Sequence, residues 1–137
     1  MSYAGDVTPT EAYAALQHEP DAVLVDVRTA AEWAYVGLPD LTEVGKEVVT
    51  VEWQRFPDGR LNAGFVEELR AAGVGDGTPV YFLCRSGVRS VAAAEAASAQ
   101  GLGPAYNVLG GFEGPHDEHR HRSVAGWKVD GLPWVQP

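Results

Sequence analysis

The residue types best suited to chemistry in this sequence are grouped around its only cysteine, Cys84. Two arginines, Arg85 and Arg89, and two serines, Ser86 and Ser90, lie within six residues of it. The thiolate form of cysteine is the effective nucleophile. Cationic side chains and free backbone N–H groups beside the sulfur would both favour that form. The spacing therefore predicts covalent chemistry at Cys84, in a loop that binds anions.

The segments on either side of the cysteine predict how this loop is presented. Residues 80–83 form a short apolar run, which is typical of a strand buried on both faces of a parallel sheet. Residues 90–100 are rich in alanine and favour a helix, with Gly101 as its C-terminal stop. We expect the loop between them, residues 84–89, to use the backbone freedom of Gly87. It would end at a helix N-terminus, where unpaired N–H groups and the helix dipole attract anions.

Helices and strands are predicted to alternate along the rest of the chain. Thr8 and Thr29 each stand three residues before a glutamate, which is the capping-box pattern of a helix start, and Asn62 is predicted to cap a third helix. Short apolar runs, one of them rich in β-branched residues, predict strands at 23–27, 48–53, 80–83 and 105–109. This order predicts an α/β fold with a mostly parallel central sheet and helices on both faces. Sites in such sheets lie at the C-terminal ends of strands, where Cys84, Asp26 and Arg28 all fall.

Composition limits the classes of function that are compatible with the chain. Its 137 residues fit one domain, 1–137, and the hydrophobic fraction of 45% is ordinary for a globular protein. A formal net charge of −9 disfavours nucleic acid and anionic membranes as partners. One cysteine cannot form an internal disulfide, which fits a reducing compartment. Residues 1–6 carry neither a basic region nor an apolar stretch, so we expect no signal peptide and a cytoplasmic location.

Four motifs together resemble a known family. The segment Leu83-Cys84-Arg85-Ser86-Gly87-Val88-Arg89-Ser90 resembles the active-site loop of single-domain rhodaneses, which are sulfurtransferases. Residues 23–28 with Glu32, residues 107–112 and the ending from 126 to 134 match further motifs of that family, in the same order. The chain departs from it at Gly37-Leu38-Pro39-Asp40-Leu41, where most members carry a histidine-containing stretch.

The resemblance implies a rhodanese-like domain that transfers sulfane sulfur through a persulfide on Cys84, with no metal and no organic cofactor. The implied substrates are a small-molecule donor such as thiosulfate and a thiol or cyanide acceptor, with a sulfur-accepting protein as a further partner. Asp26, Arg28 and Glu32 are expected to brace the loop; a strand-end ion pair and a helix cap are the ordinary explanations for them. The implied substrate-binding residues are Arg85, Ser86, Gly87, Val88, Arg89 and Ser90.

Other functions stay open at this point. The chain could be a persulfide carrier that docks on a partner protein, or a binding module without catalysis. A cysteine-based phosphatase is disfavoured, because such enzymes use Cys-x5-Arg and here Arg89 is the fifth residue after Cys84, a Cys-x4-Arg spacing. His116, His119 and His121 have spacing that could suit a metal. A solvated loop explains them better, because two arginines interleave with them and would repel a cation.

Overall fold

A five-stranded parallel sheet organises the chain, in the strand order β1-β6-β5-β2-β4. The computed structural model describes residues 3–55, 59–85, 87–114 and 126–135. Two further short strands, β3 and β7, form a separate antiparallel pair. The seven strands are β1 (Gly5–Val7), β2 (Val23–Asp26), β3 (Leu38–Pro39), β4 (Val49–Thr50), β5 (Asp76–Leu83), β6 (Gly103–Val108) and β7 (Trp134–Val135). The predicted fold class, α/β with a mostly parallel central sheet, is confirmed.

In the described part of the chain four α-helices connect these strands: α1 (Pro9–His18), α2 (Ala30–Tyr35), α3 (Phe65–Ala71) and α4 (Val88–Ala99). Both predicted capping boxes are present. The Thr8 hydroxyl accepts from the Glu11 backbone N–H while the Glu11 carboxylate accepts from the Thr8 N–H, and Thr29 and Glu32 do the same for α2. Each box satisfies N–H groups that have no partner inside the helix, so the start of each helix is fixed by local sequence.

The core lies on both faces of the sheet, and the side chains of β5 alternate between them. Val80 and Phe82 join a buried cluster that includes Phe65 and Leu69 of α3 and the small alanines of α4. Tyr81 and Leu83 join the opposite cluster, with Ala12 and Leu16 of α1 and with Phe112 and Trp127. A strand that is buried on both faces reads as a continuous apolar run, which is why residues 80–83 predicted it.

The end of the described chain is fastened beside α2. The buried Trp127 indole N–H donates to the Pro133 carbonyl at 2.7 Å, and β7 pairs with β3. At Gly37 the backbone has φ +119, and a Cβ atom would lie 2.9 Å from both a ring carbon of Trp134 and the Val135 carbonyl oxygen. The segment that departs from the family motif is therefore part of a small sheet that the sequence did not predict.

Several predicted boundaries were wrong. Strands β5 and β6 begin at Asp76 and Gly103 rather than at Val80 and Ala105. The strand predicted at 48–53 is only Val49–Thr50, although Val51 and Trp53 still donate backbone hydrogen bonds to the β2 edge. Asn62 is not the N-cap of α3; Gly64 is, and the Asn62 side chain accepts from its N–H at 3.0 Å. Helix α4 begins at Val88, two residues earlier than predicted, which shortens the loop after Cys84.

Within the residues that the structure describes, no helix combines the length and apolar character needed to cross a membrane.

Candidate active site

Cys84 and Asp26 lie at the same edge of the sheet. The sequence had placed both at the C-terminal ends of strands. Asp26 ends β2, and the parallel register pairs it with Leu83, the residue before the cysteine. The Val27 N–H donates to the Leu83 carbonyl at 2.8 Å and continues this pairing past the ends of both strands. The carboxyl ends of β2 and β5 thus converge on one site, as is usual for open parallel sheets.

The sulfur of Cys84 lies at the floor of a short loop, and the residue is only 1% exposed. The Gly87 N–H donates to Sγ at 3.0 Å, and the Ser90 hydroxyl oxygen lies 3.2 Å from Sγ. Gly87 is the N-cap of α4, with φ +118 and no side-chain cap. Gly87 as N-cap offers no side-chain oxygen to the backbone N–H groups at this helix start, and an anion can take that place. Ser86 lies outside the described residues.

A turn after β6 presses against the cysteine loop from behind. The Phe112 N–H donates to the Cys84 carbonyl at 2.7 Å, and the N–H groups of Glu113 and Gly114 both donate to the Arg85 carbonyl at 3.0 Å. These bonds hold two peptide groups of the loop with their carbonyls turned away from the sulfur. Gly111 has φ +60 at the closest approach, where a Cβ atom would lie 2.4 Å from the Cys84 carbonyl oxygen.

Each arginine of the loop has a carboxylate partner. The Arg89 guanidinium makes two parallel bonds to Glu32, at 2.7 and 2.9 Å. Arg85 Nε lies 3.1 Å from Glu113 Oε2, close enough for an ion pair although not aligned as a hydrogen bond. The Arg85 side chain is 46% exposed and that of Arg89 is 21% exposed. The side-chain charges at the loop are therefore largely balanced, and Arg85 is the more accessible cation.

Asp26 and Arg28 form a fully buried ion pair under the site. Arg28 donates to Asp26 through Nε at 2.9 Å and through a terminal nitrogen at 2.7 Å, and the same terminal nitrogen donates to the Gly37 carbonyl at 2.6 Å. Its guanidinium carbon lies 4.3 Å from the centre of the Phe112 ring, a cation–π contact. Arg28 thereby connects the end of β2, the segment after α2 and the turn behind the cysteine loop.

The geometry accounts for the ionisation of Glu32. Burial opposes the charged form, but the hydrogen bonds from Arg89 and from the Thr29 backbone more than offset it and lower the pKa of Glu32 to about 2. The pKa of Arg89 is correspondingly raised, with the Glu32 hydrogen bond as the largest cause. The pair is thus doubly charged across the whole neutral range.

The Arg89–Glu32 pair predicts that the protein loses stability as the pH falls. In Glu32→Gln this pH-dependent loss should be absent. A carboxyl whose folded pKa is depressed stabilises the fold above its ordinary pKa, near 4.5, and loses that contribution as the pH falls towards about 2. We expect up to about 3 kcal/mol of the wild-type free energy of unfolding to disappear across that window. Urea unfolding at a series of pH values measures it. Glu67→Gln, at a carboxylate 78% exposed, is the control and should leave the acid limb unchanged.

Other predicted site residues are placed as follows. Val88 belongs to the first turn of α4 and its side chain is 79% exposed, so only its backbone faces the loop. Beside the loop lies a pocket of about 430 Å³, and its lining residues are Thr29, Ala31, Glu32, Tyr35, Val36, Arg85 and Arg89. Among the described residues, no three metal-binding side chains form a cluster, and His116, His119 and His121 lie outside those residues.

Sequence reasoning missed two polar residues at this site, Asn107 and Glu113. Asn107 is 2% exposed in β6 and its Oδ1 accepts from the Ser90 hydroxyl at 2.5 Å. An amide side chain inside a strand with apolar neighbours was the signal that could have revealed it, because buried amides need partners. Glu113 gave no such signal, because nothing in the local sequence relates it to Arg85.

Comparisons with known proteins agree with this geometry. The sequence family described as the STR4 middle domain matches residues 4–137. The crystal structure of Rv0390 from M. tuberculosis is similar to this chain with a TM-score of 0.91 and 54% identity, covering 99% of this chain and 100% of that one.

Curated relatives with descriptive names include a plant protein and a bacterial protein. The rice (Oryza sativa subsp. indica) protein called THYLAKOID RHODANESE-LIKE, chloroplastic, is 32% identical over 97% of this chain, which spans 25% of that longer protein. A sulfurtransferase of Allochromatium vinosum is 28% identical, over 85% of this chain and 81% of its own. The cysteine loop and the parallel sheet agree with these relationships. The chain therefore belongs to the rhodanese-like family, and its match within known sequence families is to the STR4 middle domain.

Proposed function

We propose that this protein is a sulfurtransferase that carries sulfane sulfur as a persulfide on Cys84. One observation supports this above the others: Sγ lies at the floor of a short loop, receives the Gly87 N–H at 3.0 Å and faces the uncapped start of α4. A second sulfur attached to Sγ would extend towards these N–H groups. They would stabilise its negative charge in the way that an oxyanion hole stabilises oxygen.

The proposed reaction has two halves. The Cys84 thiolate attacks the outer sulfur of a donor such as thiosulfate, a new S–S bond forms at Sγ, and the old S–S bond breaks with its electron pair leaving on sulfite. An acceptor, cyanide in an assay or a thiol in the cell, then attacks the outer sulfur and releases the Cys84 thiolate. This is a ping-pong cycle with a covalent intermediate. Neither half needs a metal or an organic cofactor.

Individual residues have distinct roles in this proposal. Arg85 draws in the donor's anionic end, because its side chain is 46% exposed at the rim of the loop. Arg89 is committed to two bonds with Glu32 and shapes the loop by fastening α4 to α2. Asp26 and Arg28 support the loop from below through Phe112 and the Gly37 carbonyl. The cytoplasmic location expected from the sequence stays a prediction.

A persulfide carrier serving a partner protein is the second candidate. The paired carboxylates favour it, because Glu32 and Glu113 offset much of the positive charge that a dianion such as thiosulfate would seek. A steady-state thiosulfate:cyanide assay separates the two: rapid turnover supports the enzyme, and slow turnover with a long-lived persulfide supports the carrier. The phosphatase alternative is weaker, because the only arginine in the first turn of α4 is already bound to Glu32.

Intact-mass spectrometry after treatment with thiosulfate or inorganic polysulfide tests the covalent intermediate. We expect the wild-type protein to gain one sulfur atom, to lose it on addition of cyanide, and Cys84→Ser to gain none. Because Cys84 is the only cysteine, the added sulfur has one thiol to occupy. A wild-type protein that gains no sulfur from either donor, or a Cys84→Ser variant that transfers sulfur at the wild-type rate, would rule out the proposed mechanism.

A further inference from the structure

A chain of hydrogen bonds leads from the reactive sulfur to the far edge of the sheet. Ser90 Oγ lies 3.2 Å from Cys84 Sγ and donates to Asn107 Oδ1 at 2.5 Å. Asn107 Nδ2 donates to Asp6 Oδ1 at 3.0 Å, and the Tyr3 hydroxyl donates to the same oxygen at 2.7 Å. Polar side chains on α4, β6 and β1, together with Tyr3 just before β1, thus lie behind the cysteine loop, away from the arginines.

The inner members of this chain are buried as deeply as the apolar core. Ser90 is 0% exposed and Asn107 is 2% exposed, whereas Asp6, at the outer end, is exposed. A buried hydroxyl or amide without a partner is strongly disfavoured, so each inner group is held to the bonds it makes. The direction of every hydrogen bond in this series is therefore determined once the donor or acceptor role of one end group is known.

Asp6 fixes that end. A carboxylate has only acceptor oxygens, so Asn107 must present its NH₂ group to Asp6 and its oxygen to Ser90. Ser90 has a single hydroxyl proton, and the 2.5 Å bond to Asn107 Oδ1 uses it. The side of Ser90 Oγ that faces Cys84 therefore carries a lone pair. A thiol can donate its proton to that lone pair, but a thiolate, which only accepts, cannot bond to it.

We propose that Asp6 and Asn107 are positioning residues that keep the Ser90 hydroxyl turned away from Cys84 and so restrain formation of the thiolate. The Gly87 N–H at the other side of Sγ favours the thiolate, and the two contacts oppose each other. In the persulfide the negative charge moves to the outer sulfur, out of reach of this restraint. These hydrogen bonds thereby disfavour the thiolate of the unloaded cysteine more than they disfavour the negative charge of the persulfide.

Other charged groups surround the site and are left intact in the test. Arg89 with Glu32, Arg85 with Glu113, and Asp26 with Arg28 face the loop from α4, α2, β2 and the turn after β6. The proposal concerns the same cysteine as the proposed function, but it is tested by alkylation, which does not require sulfur transfer. A failure of one is therefore distinguishable from a failure of the other.

The pH dependence of Cys84 alkylation by iodoacetamide tests the proposal, and the lone cysteine makes the signal specific. Asn107→Leu removes the acceptor that holds the Ser90 proton and replaces an amide by an apolar group of similar size. Ser90 can then donate to Sγ. We expect the midpoint of the rate curve to fall by about one pH unit, with alkylation near neutral pH about tenfold faster, the effect of one added hydrogen bond to the thiolate.

Two further variants make the result decisive. Ser90→Ala combined with Asn107→Leu should cancel the gain, because no hydroxyl remains to donate; a double variant that behaves like Asn107→Leu alone would overturn the proposal. Asp6→Ala, a surface change that spares the core, should shift the midpoint in the same direction as Asn107→Leu.

Glu95→Gln is the matched control for charge, because Glu95 also acts electrostatically on Tyr3 but lies outside the hydrogen-bonded chain. It should leave the midpoint unchanged. A shift in Glu95→Gln equal to that in Asp6→Ala would assign the effect to long-range charge, and an unchanged midpoint in Asp6→Ala and Asn107→Leu would refute the restraint outright.

Discussion

Gly111→Ala is expected to lower the free energy of unfolding by about 3–5 kcal/mol and to slow persulfide formation on Cys84 by about a hundredfold. Two effects combine. Gly111 has φ +60, which is unfavourable for a residue with a side chain, and a Cβ atom there would lie 2.4 Å from the Cys84 carbonyl oxygen and 2.7 Å from the Arg85 carbonyl carbon. These are backbone atoms of the cysteine loop, so the clash is relieved only by moving the loop.

Gly131→Ala is the matched control for this prediction. Gly131 has φ +77, and among the described residues no atom outside its chain neighbours lies within 4 Å of the Cβ position. It carries the same backbone penalty without the clash, so its cost should be about 1–2 kcal/mol, with persulfide formation unchanged. Urea unfolding and the intact-mass time course measure both quantities. Equal losses in the two variants would mean that the turn after β6 does not hold the cysteine loop in place.

Arg28→Met is the second change with a large expected effect, a loss of about 3–5 kcal/mol in the free energy of unfolding. It leaves the Asp26 carboxylate buried without its counter-charge and the Gly37 carbonyl without its donor. Arg70→Met is the control, because Arg70 is 45% exposed in its ion pair with Glu67 and should change stability by less than about 1 kcal/mol. Urea unfolding of both variants at neutral pH makes the comparison.

A double variant separates a charge effect from a packing effect at the same place. Asp26→Leu together with Arg28→Met removes both charges, so it should be more stable than Arg28→Met alone. The double variant should nevertheless form the persulfide more slowly than the wild type, because the connection from β2 to the turn behind the loop is gone. A double variant less stable than Arg28→Met would show that Asp26 contributes by something other than its charge.

The parts of the structure that the sequence predicted depend on neighbours along the chain. The capping boxes at Thr8 and Thr29 are bonds between residues three apart, so their spacing is visible in the letters. The central strand was visible because burial on both faces demands an apolar run. The meeting of Asp26 with the cysteine loop followed from a general property of parallel sheets, whose carboxyl ends share one edge.

The parts that it could not predict depend on partners brought together by folding. Arg89 and Glu32 are separated by 57 residues; Glu32 was expected either to brace the loop or to cap a helix, and nothing in the sequence paired it with Arg89. Glu32 in fact does both, because the start of α2 faces the start of α4. The short strand β1 was missed for a similar reason: three residues carry little pattern, and its place depends wholly on pairing with β6.

That pairing of β1 with β6 has a consequence for how the protein acquires its reactive site. The contact between Asp6 and Asn107 spans 101 residues, among the longest separations that the chain allows. Contacts of such high sequence separation form slowly, because the entropy of closing the loop is lost before the contact is gained. During synthesis the first strand must wait for the last strand of the sheet. A nascent chain therefore lacks the complete set of hydrogen bonds behind Cys84 until β6 has been made.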